Sequence, residues 1–194
     1  MPATKYNHLF SILLLNSIYP LSKPLNKYLA NVLVVSQFKK GDYIVKNGEF
    51  CDRIHIIRKG LVRGFFNHKG KEITTWVSVD NEMVTSISGY FKKQPALENI
   101  QCLEDTYTES FSHADMHFAL ENFKEMAQLN RILMEHYYLH AEYRAFMARI
   151  PTAKDRYKYY LDFVNPEIVK RLPNKYLASL LNMRPETLSR IKQQ

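Results

Sequence analysis

Cysteine is scarce in this chain, with Cys51 and Cys102 the whole supply in 194 residues. Two thiols in no CxxC arrangement cannot hold an iron–sulfur cluster within one chain, which normally needs four. They allow one disulfide, although a reducing, cytoplasmic compartment is the simpler reading. Low-complexity runs are lacking and aromatics reach 13%, which argues against disorder. The most apolar stretch, Leu9–Leu15, is too short to span a bilayer. Its basic flank is thin, and Asn16–Pro20 is no small-residue cleavage site. It reads as an amphipathic helix packing on the first domain of a soluble protein. HExxH, a nucleophile–base grouping and a phosphate-cradling glycine loop are all missing. The β-rich region holds only His55 and His68, too few for a cupin-like metal site. The pairs His113/His117 and His136/His140 have helical chelate spacing, yet such histidines are usually packed or partly solvated. No enzyme activity, cofactor or metal is therefore expected.

What is present is ordinary globular composition, 46% hydrophobic and 24% charged, with a net charge of +8. The basic balance fits a polyanionic partner. From Tyr6 to Leu33 the chain reads as helical pieces broken by Pro20 and Pro24. Between Phe38 and Ser112, short β-type runs follow at Tyr43–Val45, Ile54–Ile57, Leu61–Phe66, Ile73–Val79, Asn99–Leu103 and Tyr107–Phe111. Gly41, Gly48, Gly60 and Gly70 punctuate them. This pattern predicts an antiparallel β-roll of jelly-roll type. The lone Trp76 lies in a strand and reads as core or interface.

Ser112 is a candidate N-cap, after which the pattern is helical. Over Met126–Arg149 an apolar stripe contains Leu129, Ile132, Leu133, His136, Tyr137, His140, Tyr143 and Met147. It predicts a long helix that either forms a dimer seam, the favoured reading, or covers the β-domain. Pro151 suits the first turn of a helix over Thr152–Val164, ended by Asn165-Pro166. Two short helices follow, Asn174–Leu181 and Pro185–Lys192. The expected organisation is α+β: an N-terminal β-roll with its helices (1–125), a connecting dimerisation helix (126–150) and a helical C-terminal domain (151–194).

Within that last domain, Ala178 is small where two helices must cross, and Asn182 four residues later tolerates a left-handed turn. Leu188, ten residues beyond Ala178, locks the second helix. This is the spacing of a helix-turn-helix. The outward face of the second helix carries Glu186, Thr187, Ser189, Arg190 and Gln193. Glu186 and Arg190 share one face. A carboxylate can accept from cytosine N4 and a guanidinium can fork onto guanine, so the pair can read a C·G step. An intrahelical ion pair is the competing reading.

MRPETLSRIK, residues 183–192, resembles the recognition-helix segment of Crp/Fnr-type transcription regulators, and FKKGDYIVKNGEFCDRIHIIRKGLVRGFF, residues 38–66, resembles their opening strands. The resemblance implies double-stranded DNA and a second copy of the chain as partners, with RNA polymerase as a further one. It makes Glu186 and Arg190 base contacts and Thr187 a phosphate contact. Pro185 stands where the family often has arginine, so the preferred site should differ. The family usually continues into a β-hairpin wing; with the sequence ending at Gln194, no wing is expected. Lys170, Arg171, Lys175, Arg184 and Lys192 are candidates to restore phosphate contacts.

Relatives that bind cyclic AMP carry Gly-Glu and Arg-Ser/Thr-Ala steps. Here Thr85-Ser86 and Leu97-Glu98-Asn99 stand in their place. Leucine beside glutamate would repel a phosphate, and Lys92 or Lys93 does not reproduce a guanidinium fork. No response to cyclic AMP is expected. Thr85, Ser86, Glu98 and Asn99 then line a degenerate effector pocket, for an unknown small effector or none, or simply face solvent. A ligand-binding module that acts on a protein partner is the alternative to a DNA-binding regulator.

Overall fold

The protein, seen in a computed structural model, is described over residues 9–193. Tyr6, where the first helical piece was expected to start, and Gln194 lie outside that range. Helix α1 (Leu9–Ile18) is followed by α2 (Lys23–Val32). Pro24 does not break the chain as expected. It sits in the first turn of α2, where a missing N–H costs nothing, and the Ser22 side chain caps that turn by accepting from the Leu25 amide.

Two four-stranded antiparallel sheets form the roll. One has the order β1 (Val34–Phe38), β8 (Thr106–Ser112), β3 (Arg53–Lys59), β6 (Met83–Val84). The other runs β2 (Tyr43–Val45), β7 (Asn99–Cys102), β4 (Leu61–His68), β5 (Lys71–Val79). The six anticipated strands are all present, with ends shifted by a few residues. Strands β1 and β6 and the short helix α3 (Ile87–Lys92) were not anticipated. Strand β6 is only two residues long, too short for any period to show.

The Ser112 cap exists as a full capping box with Asp115 and opens α4 (His113–Asn122). The long helix α5 (Lys124–Met147) follows. Then come α6 (Ala153–Phe163), α7 (Pro166–Arg171), α8 (Asn174–Leu180) and α9 (Pro185–Lys192). Asn165-Pro166 ends α6 as expected. It also starts the unanticipated α7, because the Asn165 side chain caps the Glu167 amide and Pro166 takes the first turn.

One apolar cluster joins α1, α2, α4 and α5 to β3 through Leu15, Leu29, Ile54, Ile56, Met126 and Leu129. A second crosses the boundary expected at residue 151. It unites Leu61, Val79 and Leu103 of the roll with Ile168, Leu172, Leu177, Leu181 and Leu188.

His55 lies buried between sheet and core, with its Nδ1 3.0 Å from Thr108 Oγ1. Burial, aided by the Arg53 charge, lowers its pKa to about 4. An unfolded chain would protonate it below about 6.5 while the folded one would not. Its contribution to stability is therefore complete above pH 6.5 and is lost as pH falls toward 4, by about 3 kcal/mol. Denaturant titrations between pH 7 and 4 should show this slope, and His55→Asn should flatten it.

Candidate DNA-binding surface and effector site

Helix α8 ends in the turn that its sequence predicts. Asn182 is left-handed, with φ of 48°. The Met183 amide donates to the Ala178 carbonyl at 2.9 Å and the Asn182 amide to the Ser179 carbonyl at 3.1 Å. This pair of bonds satisfies carbonyls that the helix end would otherwise orphan. Ala178 is buried at the crossing and Leu188, on the inner face of α9, is fully buried.

Arg156 of α6, which no sequence pattern marked, fixes the turn from the other side. Its Nε donates to the Leu181 carbonyl at 2.9 Å and its Nη2 to that of Asn182 at 3.2 Å. Its Nη1 reaches the Ile150 carbonyl at 2.7 Å, at the end of the long helix. In the sequence this arginine sits in a charged run that looks like a solvated face, so only the folded chain reveals its work.

Helix α9 carries its polar residues outward. Arg184, Pro185, Glu186, Ser189, Arg190 and Lys192 are exposed and Thr187 is half-buried. No ion pair joins Glu186 to Arg190, although i,i+4 spacing permits one, so both are available to a partner. Lys175 is also exposed, its Nζ 4.5 Å from the Tyr176 ring centroid. Lys192 donates to Asn174 at 2.7 Å. Two of the cations expected to restore phosphate contacts are engaged elsewhere. Lys170 pairs with Glu167 at 2.7 Å. Arg171 is clasped by Asp80 at 2.8 Å and Glu104 at 2.6 Å, which ties α7 to the roll.

Helix α8 is fastened to the roll as well. The Thr74 amide donates to Ser179 Oγ at 3.0 Å, and that hydroxyl reaches the Glu72 carbonyl at 3.3 Å. Arg63, 2% exposed, lies between the Phe65 ring at 3.9 Å and the Tyr176 ring at 4.0 Å. It donates to Gln101 and pairs with Glu72. These contacts are non-local, and nothing in the local sequence announces them.

The eight residues predicted for a dimer seam are split by the fold. Leu129, Leu133 and Met147 are buried in the chain's own cores, and the Tyr137 hydroxyl hydrogen-bonds the Met83 backbone at 2.6 and 3.0 Å. For these four the correction is that the stripe covers the roll, because sheet and helix bury the same apolar face. Ile132, His136, His140 and Tyr143 keep part of their surface. His136 and His140 have rings 4.4 Å apart, and Tyr143 stacks on Phe163. Among the described residues, no group of three or more acidic, histidine or cysteine side chains is arranged to hold a metal.

The four effector-pocket residues are not brought to one cavity. Thr85 donates to the Arg53 carbonyl at 2.9 Å. Ser86 is buried and caps α3, accepting from Gly89 at 3.4 Å. Asn99 accepts the Asn47 amide at 3.1 Å. Glu98 accepts the Trp76 indole N–H at 2.8 Å, and burial raises its pKa against the pull of that bond and of Arg144. The indole packs against Gly64, where an added Cβ would meet Trp76 at 2.1 Å. Gly64→Ala should therefore displace the indole, costing about 1–3 kcal/mol and shifting Trp76 emission. An unchanged emission spectrum would contradict this packing.

Residues 35–123 match the family of the cyclic nucleotide-binding domain. The β-roll is thus similar to a cyclic nucleotide-binding domain. No curated protein sequence matches the chain. Among solved structures, FixK2 from Bradyrhizobium japonicum superposes with a TM-score of 0.71 at 17% identity, over 84% of each chain. A protein described as a transcriptional regulator of the Crp/Fnr family from Eubacterium rectale gives 0.67 at 16% identity, covering 91% of this chain and 86% of that one. The regulatory domain of Toxoplasma gondii protein kinase A, crystallised with cAMP, gives 0.54 at 16% identity, over 70% and 51%. The fold is thus that of the Crp/Fnr regulators, and its roll recurs in proteins of other kinds. No described helix is long and apolar enough to cross a membrane.

Proposed function

We propose that this protein is a sequence-specific DNA-binding transcription regulator. The observation that carries this reading is the exposed, unpaired Glu186–Arg190 face of α9, braced across α8 by the Asn182 turn. On that reading α9 enters the major groove, Glu186 and Arg190 read bases, and Thr187, Ser189, Arg184, Lys175 and Lys192 approach phosphates. Residues 1–125, 126–150 and 151–194 serve as effector part, connector and DNA reader.

A homodimer would place two α9 helices about 34 Å apart on a palindromic site. With Leu129, Leu133 and Met147 turned inward, the seam falls on the flank of α5 that carries Ile132, His136, Leu139 and Phe146; the last two are 46% and 52% exposed. Insensitivity to cyclic AMP is supported by the internal hydrogen bonds of Ser86 and Asn99 and by the indole packed on Gly64.

Selection of bound duplexes from a random pool tests the proposal. Enrichment of a two-fold symmetric sequence is the expected result, and an unenriched pool at low salt would overturn it. Addition of cyclic AMP should change neither the selected sequence nor Trp76 emission.

A further inference from the structure

A groove of about 640 Å³ runs between the roll, α3 and α5. Its volume lies within the range of small-molecule sites, roughly 300–1,000 Å³. One wall is apolar: Met83, Ile87, Phe91, Met134 and Tyr138 line it, with Ile87 60% and Phe91 50% exposed. Most polar groups along it are already engaged. The Tyr137 hydroxyl bonds the Met83 backbone, the Trp76 N–H bonds Glu98, and Thr85 bonds Arg53. Burial raises the pKa of the Glu82 carboxyl, opposed by hydrogen bonds to Ser78, Val79 and Asn165.

Arg144 is the one lysine or arginine among the lining residues. Its half-buried guanidinium lines the groove and also a small cleft against α6, yet among the described residues it makes no hydrogen bond or ion pair. Burial lowers its pKa, and Glu98, the carboxylate that opposes this shift, is bonded to the indole and does not come within ion-pair distance. A guanidinium that brings five donors into a partly desolvated wall and uses none of them lacks an acceptor. A single carboxylate supplies one in matching fork geometry. A dianionic phosphate would meet greater repulsion from Glu82 and Glu135, which line the groove, and from Glu98, whose charge reaches Arg144.

We infer that this groove binds a small amphipathic carboxylate, its apolar body between α3 and α5 and its carboxylate on Arg144. Because Arg144 faces both the groove and the α6 cleft, an occupant would touch the roll, the long helix and the first helix of the C-terminal domain. The site stands on its own geometry, and only an effect on operator affinity rests on the DNA-binding reading.

Trp76, the single tryptophan, lines the groove and reports its occupancy. Sodium decanoate, below its micellar concentration, should change Trp76 emission saturably, with calorimetry giving the same affinity. Decanol should bind at least tenfold more weakly. Arg144→Gln should lose at least tenfold for decanoate while keeping the decanol affinity, which shows that the variant is folded. Equal binding of decanoate and decanol, an unaffected Arg144→Gln, or no saturable change would overturn the inference. So would an analytical-ultracentrifugation result in which a second copy of the chain, and not decanoate, covers Phe91 and Tyr138. Arg190→Ala should leave the titration unmoved, so failure of DNA reading and failure of this site are distinguishable.

Discussion

Arg190→Ala is expected to lower affinity for the selected duplex by about 2–6 kcal/mol. Each bidentate base contact contributes about 1–3 kcal/mol of discrimination, and a dimer would make two. Arg190 is exposed, so its removal leaves no buried partner and the fold should hold. The substitution should erase preference at one base pair in each half-site, while non-specific binding falls only by the loss of one charge per subunit. Lys192→Ala should instead weaken all sequences alike, the behaviour of a phosphate contact. Mobility-shift titrations against the selected duplex and a scrambled one, at two salt concentrations, separate these effects. If Arg190→Ala retained the wild-type ratio between them, α9 would not be the reading helix.

Leu177→Ala should cost about 2–5 kcal/mol, the range for removing a buried leucine, and lower Tm by roughly 5–15 °C. Leu177 is fully buried in the cluster that joins Leu61 and Val79 of the roll to Leu181 and Leu188 of the terminal helices. Because that cluster is continuous, roll and helix-turn-helix should melt in one transition, in wild type and variant alike. A low-temperature transition confined to helical signal in the variant would show that the two parts unfold separately. The cavity left by Leu177→Ala also lies under the α8–α9 crossing, so operator affinity should fall even where the chain stays folded.

Much of this architecture is carried by local pattern. Positive φ at Gly41, Gly48, Gly60, Gly70 and Asn182 falls where the residues least hindered in that conformation had marked turns. The capping box at Ser112 and the apolar spacing of Ala178, Asn182 and Leu188 are equally local, since each depends on chemistry within a few residues of chain. The outward face of α9 was legible for the same reason: a short helix with one buried leucine leaves Glu186 and Arg190 nowhere to go but solvent.

The direction of the long stripe on α5 was not legible. Period alone says that Leu129, Leu133 and Met147 share a face, but a neighbouring sheet and a second subunit offer that face the same apolar surface. Only the tertiary structure decided it, by packing Leu129 and Leu133 with α1, α4 and β3 in one cluster and Met147 with the roll and the terminal helices in another. The positions of Arg63, Arg144, Arg156 and Arg171 were likewise beyond the sequence, where all four resemble solvated charges. Their surroundings arise from contacts between segments far apart in the chain, such as Arg171 with Asp80. Turns and helix ends are thus fixed by near neighbours, whereas the burial and pairing of a charge depend on which distant surfaces meet.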